Sequence, residues 1–113
     1  MKVVVVGAGK VGFYLAKTLL RHGHQPLVIE NDPAGCRRTA DELGIPVTCG
    51  DGSMADTLRA AGAQGADAIV TATGADQTNL IACQTARRVF GVKRTLSRVN
   101  DPGNLEVMKR LGV

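Results

Sequence analysis

The chain has 113 residues, of which 44% are hydrophobic and 21% charged, a composition typical of one folded domain of ordinary size. The net charge is +4, but the basic residues are scattered and only three aromatic residues occur, which argues against a nucleic-acid-binding protein. No apolar run approaches the roughly 20 residues that span a bilayer, and the N-terminus lacks the pattern of a secretion signal, so we expect a soluble cytoplasmic protein.

The first strand and helix flank a glycine-rich loop. A continuous β-branched run, Lys2–Val6, predicts a strand that is buried on both faces of a parallel sheet. The loop GAGKVG follows at residues 7–12. Apolar residues then recur four apart from Val11 to Leu19, which predicts a helix, and Gly23 is typical of the residue that ends one.

Four more strand patterns follow, each separated from the next by a helical pattern. The predicted strands are Pro26–Glu30, Pro46–Asp51, Ala66–Thr73 and Thr95–Val99. The predicted helices run from Pro33 to about Leu43, from a cap at Ser53 across Leu58 and Ala61, from a cap at Asp76 to about Phe90, and from Asp101-Pro102 across Leu105, Met108 and Leu111.

This alternation predicts a Rossmann-like, doubly wound α/β fold, with a parallel sheet in the order 3-2-1-4-5 and helices on both faces. We expect one domain over residues 1–113. In such a sheet the ligand cleft lies at the carboxyl ends of the strands, near strands 1 and 4.

The three cysteines, Cys36, Cys49 and Cys83, are odd in number and show no CxxC spacing. This pattern predicts reduced thiols in the cytosol, and neither a disulfide framework nor a zinc site. His22 and His24 have no third ligand nearby, so we interpret them as cations near a helix end and expect no metal site.

The glycine loop predicts a dinucleotide site. Gly7 makes the turn out of the strand, Gly9 lets the backbone approach a pyrophosphate, and Gly12 lets the helix lie close to the strand, with the helix N-terminus facing the phosphates. Glu30 ends the second strand, where its carboxylate can accept both hydroxyls of an adenosine ribose and would repel a 2′-phosphate. We therefore expect NAD(H) or an adenine nucleotide, and NADP is disfavoured.

Two further loops end at the same edge of the sheet. Asp51 and its glycine neighbours suit an adenine ring, although a turn and helix cap formed with Ser53 explain the same residues. The polar loop Thr73–Asn79 suits a phosphate or the second ribose, and Asp76 is equally explained as a helix cap. Lys10 either reaches a phosphate or a neighbouring subunit, or is a solvated lysine at a helix start.

The chain resembles, over its whole length, the N-terminal nucleotide-binding domain of the Trk potassium-uptake regulator family, also called the RCK or KTN domain. The motifs that carry the resemblance are VVVVGAGKVG, VIEND, CGDGS, TATGADQTNLIACQ, SRVNDP and KRLGV. The pair GDGS and TGADQTN is more specific than the glycine loop, because ordinary dehydrogenases lack it.

The resemblance implies that the acid at Glu30 holds the adenosine ribose, that the acid at Asp51 lies by the adenine, and that Arg98 faces the cleft. It implies NAD(H), ATP, ADP or AMP as ligand and a membrane K⁺ channel or transporter as partner. The candidate cofactor-binding residues are Gly7, Gly9, Lys10, Val11, Gly12, Glu30, Asn31, Asp51, Gly52, Ser53, Thr73, Gly74, Asp76, Asn79 and Arg98.

We expect a nucleotide-sensing regulator and no catalysis, because no acid–base group stands out at the cleft. The alternatives are a fragment of an NAD-dependent oxidoreductase and a regulator of another cation transporter or efflux system. The chain ends before the sixth strand of many family domains, so it is either a truncated domain or a single-domain subunit. We also expect a homo-oligomer, a dimer or ring, with Phe13 and Tyr14 as interface candidates, although Phe13 also suits a core position.

Overall fold

The computed structural model describes residues 1–111, and Gly112 and Val113 lie outside the described residues. Within them, a five-stranded parallel sheet has the order β3-β2-β1-β4-β5, which confirms the predicted topology. The strands are β1 Lys2–Val6, β2 Gln25–Glu30, β3 Val47–Cys49, β4 Ala68–Thr71 and β5 Arg94–Ser97. Val6 lies beside Ile29 of β2 and Thr71 of β4, so the carboxyl ends of the central strands meet at one edge.

Helices cover both faces of the sheet. They are α1 Lys10–Arg21, α2 Pro33–Leu43, α3 Ala55–Ala61, α4 Asp76–Phe90 and, after a short 3-10 turn at Pro102–Asn104, α5 Leu105–Arg110. No helix in residues 1–111 is long and apolar enough to cross a bilayer.

The core has two layers because the side chains of β1 alternate between the two faces of the sheet. Val4 and Val6 join a cluster with α3 and α4, and Val3 and Val5 join a second cluster with Ala16 of α1. All four valines are at most 3% exposed, as the β-branched run predicts for a strand covered on both sides.

The predicted bounds of α2, Pro33 to about Leu43, are confirmed by backbone geometry. Asp32 caps α2, since its carboxylate accepts a hydrogen bond from the backbone N–H of Gly35 at 3.2 Å. The helix ends at Gly44, whose φ of 67° lies in the left-handed region that favours glycine.

The two other predicted caps are wrong. Helix α3 begins after Met54 and α4 after Ala75, and neither helix has a side-chain cap. Ser53 instead donates its hydroxyl to Asp51 at 2.7 Å. The carboxylate of Asp76 instead accepts hydrogen bonds from the segment that follows β5. Each of the two side chains predicted as a cap is therefore hydrogen-bonded elsewhere.

The last three strands are shorter than predicted, whereas β1 has the predicted bounds and β2 begins one residue earlier, and the last helix is more exposed than predicted. The chain leaves the sheet after Cys49 and after Thr71, where the loops to α3 and α4 begin. Of the apolar face predicted for the last helix, Met108 is buried, whereas Leu105 and Leu111 are 45% and 44% exposed.

Cys36 and Cys49 form a disulfide, with their Cα atoms 6.0 Å apart, so the prediction of three reduced thiols is wrong for this pair. The sheet register explains the pairing, because it places Cys49 opposite Glu30 and close to the start of α2. Cys83 is free and buried. A ring nitrogen of His24 lies 3.0 Å from the N-terminal amine, and residues 1–111 contain no cluster of three or more metal-binding side chains.

Candidate functional site

An open cleft of about 470 Å³ lies at the carboxyl ends of the central strands. Nine of the residues predicted from sequence line it: Gly7, Gly9, Glu30, Asn31, Asp51, Gly52, Thr73, Gly74 and Arg98. The six others (Lys10, Val11, Gly12, Ser53, Asp76 and Asn79) lie behind or beside the lining. The cleft therefore occupies the position that the topology predicts, at the carboxyl ends of β1 and β4, where the strand order reverses.

The glycine loop brings α1 against the end of β1. Gly7 has a φ of 98°, a conformation that favours glycine, and its N–H donates to the carbonyl of Ile29 at 2.8 Å. A Cβ on Gly12 would collide with the carbonyl oxygen of Gly7, so only glycine permits this approach. A Cβ on Gly9 would meet no atom within 4 Å, and Gly9 borders the cleft.

The N-terminus of α1 opens towards the cleft. Gly9 is the N-cap residue, and no side chain caps the first turn. The first N–H groups of a helix have no partner within the helix, and the helix dipole adds partial positive charge there. This combination suits a phosphate group.

Glu30 is the half-buried acid at the end of β2. Its Oε1 accepts a hydrogen bond from the N–H of Ala8 at 2.6 Å, and its Oε2 accepts one from the N–H of Asp32 at 2.9 Å. A carboxylate has about four acceptor positions, so each oxygen retains one for a ligand hydroxyl. The two backbone bonds fix the carboxylate in place before any ligand arrives.

Asp51 and Ser53 form a compact turn after β3, and Asp51 lines the cleft. The N–H and hydroxyl of Ser53 both donate to Oδ1 of Asp51, at 2.9 and 2.7 Å, and they lower the pKa of this carboxyl. Oδ2 remains available as an acceptor. A Cβ on Gly52 would strike the side chain of Val6, so the missing side chain of Gly52 lets this loop pack on β1.

Asn79 holds the loop after β4 from behind. Its side chain is fully buried, and its Oδ1 accepts hydrogen bonds from the N–H and the hydroxyl of Thr73, at 3.1 and 2.6 Å. Its Nδ2 donates to the carbonyls of Thr73 and Arg98, both at 3.1 Å. Asn79 thus joins two loops that border the cleft without lining it.

Asp76 binds the segment after β5. Its carboxylate accepts hydrogen bonds from the backbone N–H groups of Asn100 and Asp101, at 2.6 and 2.9 Å, and from the Asn104 amide at 3.0 Å. The N–H of Asn100, then that of Asp101, hold the pKa of Asp76 well below its ordinary value. These partners occupy the carboxylate away from the cleft.

Lys10 and Val11 lie on the exposed start of α1. Lys10 borders a shallow groove with Gly9, Phe13, Arg38 and Glu42, and of these residues Gly9 also lines the cleft. Val11 is 52% exposed and is absent from the cleft lining. Neither Lys10 nor Val11 therefore lines the cleft.

Six residues of the lining are absent from the predicted set: Val6, Ile29, Gly50, Ala72, Ala75 and Thr78. Thr78 lies in the first turn of α4 and lines the cleft. Its position in the polar loop after β4 is the one feature of the sequence that indicated this. Arg38 of α2 donates to the carbonyl of Ala8 at 3.5 Å and supports the glycine loop from outside. A single arginine on a predicted helix carries no signal in the sequence for this contact.

The chain matches proteins of known families. The TrkA-N domain family matches residues 3–113. The Trk system potassium uptake protein TrkA of Streptomyces coelicolor is 40% identical over 113 residues, which are 100% of this chain and 51% of that protein. A second relative, from Methanothermobacter thermautotrophicus, is 38% identical, so the chain spans about half the length of these curated relatives.

A solved structure agrees with this assignment. The Kef C-terminal domain of Shewanella denitrificans, solved in its AMP-bound form, is 25% identical to the chain, with a TM-score of 0.84. The match covers 100% of this chain and 68% of that one. Together with the match over residues 3–113, the sheet order and the glycine loop, this shows that the chain belongs to the TrkA-N domain family.

Proposed function

We propose that this chain is the nucleotide-sensing domain of a regulator of potassium uptake, and that it binds NAD(H), ATP, ADP or AMP in the cleft beside the glycine loop. The observation that carries the proposal is the position of Glu30. Its carboxylate is fixed at the cleft edge by the backbone N–H groups of Ala8 and Asp32. Ala8 directly precedes the α1 N-terminus, which no side chain of residues 1–111 caps. One end of the cleft suits ribose hydroxyls and the other suits phosphate.

The adenosine half of the ligand lies between Glu30 and Asp51. Glu30 accepts the two ribose hydroxyls, with Asn31 beside it, and the free oxygen of Asp51 accepts the exocyclic amine of adenine. Support for an adenosine-containing ligand comes from the Kef C-terminal domain, which was solved with AMP bound. A 2′-phosphate would meet the negative charge of Glu30, so NADP(H) binds more weakly.

The phosphates lie between the glycine loop and the loop after β4. Gly9 leaves the backbone of the first loop open, and Thr73 and Gly74 border the cleft on the opposite side. Among residues 1–111, Arg98 is the one basic side chain in the lining, and it reaches the longer ligands. Ser53 and Asn79 position their loops from behind the lining.

The site favours binding over catalysis. Among residues 1–111, Glu30, Asp51 and Arg98 are the ionisable side chains that line the cleft, and both carboxylates already accept backbone hydrogen bonds, Glu30 from Ala8 and Asp32, and Asp51 from Ser53. No histidine, lysine or tyrosine of the described residues lines it to serve as an acid or base. We therefore assign a regulatory role without catalysis.

The effect on potassium flux follows from unequal binding to two states. A ligand shifts a conformational equilibrium only if its affinities for the two states differ. A pyrophosphate that contacts both the glycine loop and the loop after β4 would favour the state in which the distance between these two loops matches the length of the pyrophosphate. The relatives named as Trk potassium uptake proteins support a membrane-embedded K⁺ transporter or channel as the partner.

We assign a cytoplasmic position beside that transporter and assembly as a homo-oligomer, a dimer or a ring. Tyr14 is 64% exposed on α1, next to the exposed Val11, and these side chains form the candidate contact surface. Phe13 is half-buried, so it contributes to packing as well.

The proposal is tested by K⁺ uptake in cells that lack their own regulator and express the protein that carries this chain. Glu30→Gln and Gly9→Ala are each expected to make uptake insensitive to the nucleotide. Asp41→Asn, an exposed change on α2 away from the cleft, serves as the control and retains the response. Uptake that stays fully nucleotide-responsive in both cleft variants would refute the mechanism. If the nucleotide instead controls the transport of another cation or an efflux system, the assignment to potassium uptake is wrong.

A further inference from the structure

The disulfide joins the two segments that carry the carboxylates of the cleft. Cys36 lies near the start of α2, shortly after Glu30, and Cys49 is the last residue of β3, just before Asp51. In the sheet, Cys49 lies directly opposite Glu30, and the N–H of Gly50 donates to the Glu30 carbonyl at 2.9 Å. The bridge therefore joins the segment that follows Glu30 to the strand that precedes Asp51.

The cysteines differ in access to solvent. Cys49 is exposed, Cys36 is 8% exposed and Cys83 is 1% exposed. Burial raises the pKa of the Cys83 thiol, which disfavours the reactive thiolate. Cys49 is thus the cysteine that a small molecule in solution reaches first, and Cys36 is the neighbour that can resolve a bond formed there.

The reduced form also has a defined partner. The Sγ atom of Cys36 lies 3.1 Å from the carbonyl oxygen of Glu30. A sulfur in a disulfide has no hydrogen to donate, but the thiol released by reduction finds this acceptor already in place. The local structure therefore accommodates both redox states.

We propose that Cys36 and Cys49 form a thiol–disulfide exchange site for low-molecular-weight disulfides, and that the state of this pair sets the affinity of the cleft for nucleotide. The Cys49 thiolate attacks one sulfur of the small disulfide, forming a mixed disulfide and releasing one small thiolate. The Cys36 thiolate then attacks the Sγ of Cys49 and releases the second. The two protein thiols are oxidised by two electrons, their protons pass to solvent or to the leaving thiolates, and the small disulfide is reduced to two thiols.

The coupling to nucleotide rests on the proposed function. With the bridge closed, the chain on either side of the adenosine pocket is covalently joined, which limits the separation of Glu30 and Asp51. With the bridge open, the loop that begins at Cys49 can adopt more conformations. A ligand that binds only one of these conformations must offset the conformational entropy that the loop loses on binding. The oxidised form is therefore expected to bind AMP about fivefold more tightly, at the lower end of typical couplings between sites.

The exchange site is tested by thiol counting and intact mass after equilibration with mixtures of oxidised and reduced glutathione. We expect one free thiol and the loss of two hydrogen atoms under oxidising mixtures, and three free thiols under reducing ones. Cys83→Ser, the control, shows the same transition with one thiol fewer in each state. Three free thiols at every ratio, or a glutathione adduct that persists on Cys49, would overturn the site.

The coupling is tested by calorimetry with AMP on the oxidised and reduced forms of the same protein. Cys49→Ser, which cannot close the bridge, is expected to match the reduced form and to show no response to glutathione. Equal AMP affinity in the two forms would overturn the coupling. If neither form binds AMP while the thiol counts still change, the proposed function and the coupling both fail, and the exchange site stands.

Discussion

The carboxylate of Glu30 and the backbone N–H of Ala8 are joined by a 2.6 Å hydrogen bond, which ties the end of β2 to the glycine loop. The acid assigned to the ribose therefore also holds the loop assigned to the phosphates. A change at Glu30 affects both halves of the cleft, so its substitutions must be chosen to separate binding from local structure.

Glu30→Gln tests the ribose contact with the least damage to the loop. The amide keeps an oxygen for the Ala8 N–H but loses one acceptor and the charge. We expect AMP binding to weaken by about 1–3 kcal/mol, the usual loss for hydrogen bonds to a charged group. Isothermal calorimetry measures it, with Asp41→Asn as the control. Unchanged affinity would remove Glu30 from the site.

Gly12→Ala and Gly9→Ala separate packing from ligand approach. A Cβ on Gly12 would collide with the Gly7 carbonyl, whereas one on Gly9 would meet nothing within 4 Å. Chemical denaturation is expected to show a loss of about 3 kcal/mol for Gly12→Ala, near the upper end for overpacked sites, and under about 0.5 kcal/mol for Gly9→Ala. A matching loss in the two variants would contradict the loop geometry.

Gly9→Ala is nevertheless expected to bind AMP and ADP at least about tenfold more weakly, because its methyl group occupies the space through which a phosphate approaches the backbone. Calorimetry on the folded variant gives this value. Full affinity in Gly9→Ala would place the phosphates elsewhere.

Asp76 is expected to support stability at neutral pH. The N–H groups of Asn100 and Asp101 lower its pKa in the folded chain below the ordinary value of 3.8. The folded state therefore gains stability while this carboxylate is charged, and it loses that gain as the pH falls below about 4 towards the folded pKa.

Asp76→Asn removes this contribution. We expect a lower Tm than that of the parent at pH 7 and a smaller difference between the two at pH 2–3, measured by thermal unfolding followed by circular dichroism. Asp41→Asn, on an exposed carboxylate of α2, is the control. A difference from the parent that is equally large at both pH values would contradict the role of the charge.

Arg98→Ala tests which ligands reach the far side of the cleft. Arg98 is the basic side chain of the lining and is exposed, so a longer ligand can meet it. NADH is expected to lose about 1 kcal/mol, the usual net contribution of one hydrogen bond, while AMP changes by less than about 0.5 kcal/mol. Fluorescence titration of NADH and calorimetry with AMP measure the pair. An equal loss of affinity for both ligands would place Arg98 beside the adenosine monophosphate part that NADH and AMP share.

The fold was predictable because each strand and helix carries its own local signal. The valines of β1 indicate a strand covered on both faces, and Asp32 and Gly44 mark the ends of α2. Parallel strands bring their carboxyl ends to one edge, so the chain order alone placed Glu30 and Asp51 near the glycine loop.

The partners of individual side chains were not predictable in the same way. Asp76 and Ser53 are residues that cap helices well, and their local sequence favours that role. The placement of the segment after β5 decides that Asp76 binds Asn100, and the tight turn decides that Ser53 binds Asp51. The Cys36–Cys49 pair likewise depends on the register of β3 against β2, which cysteine spacing does not encode.

Calorimetry with AMP, ADP, NADH and NADPH on this chain is the sharpest test of the proposed nucleotide site. We predict one site per chain for an adenine nucleotide, and binding of NADPH at least about tenfold weaker than that of NADH, because its 2′-phosphate meets the fixed carboxylate of Glu30. Equal or tighter binding of NADPH, or no binding of any of the four, would contradict it.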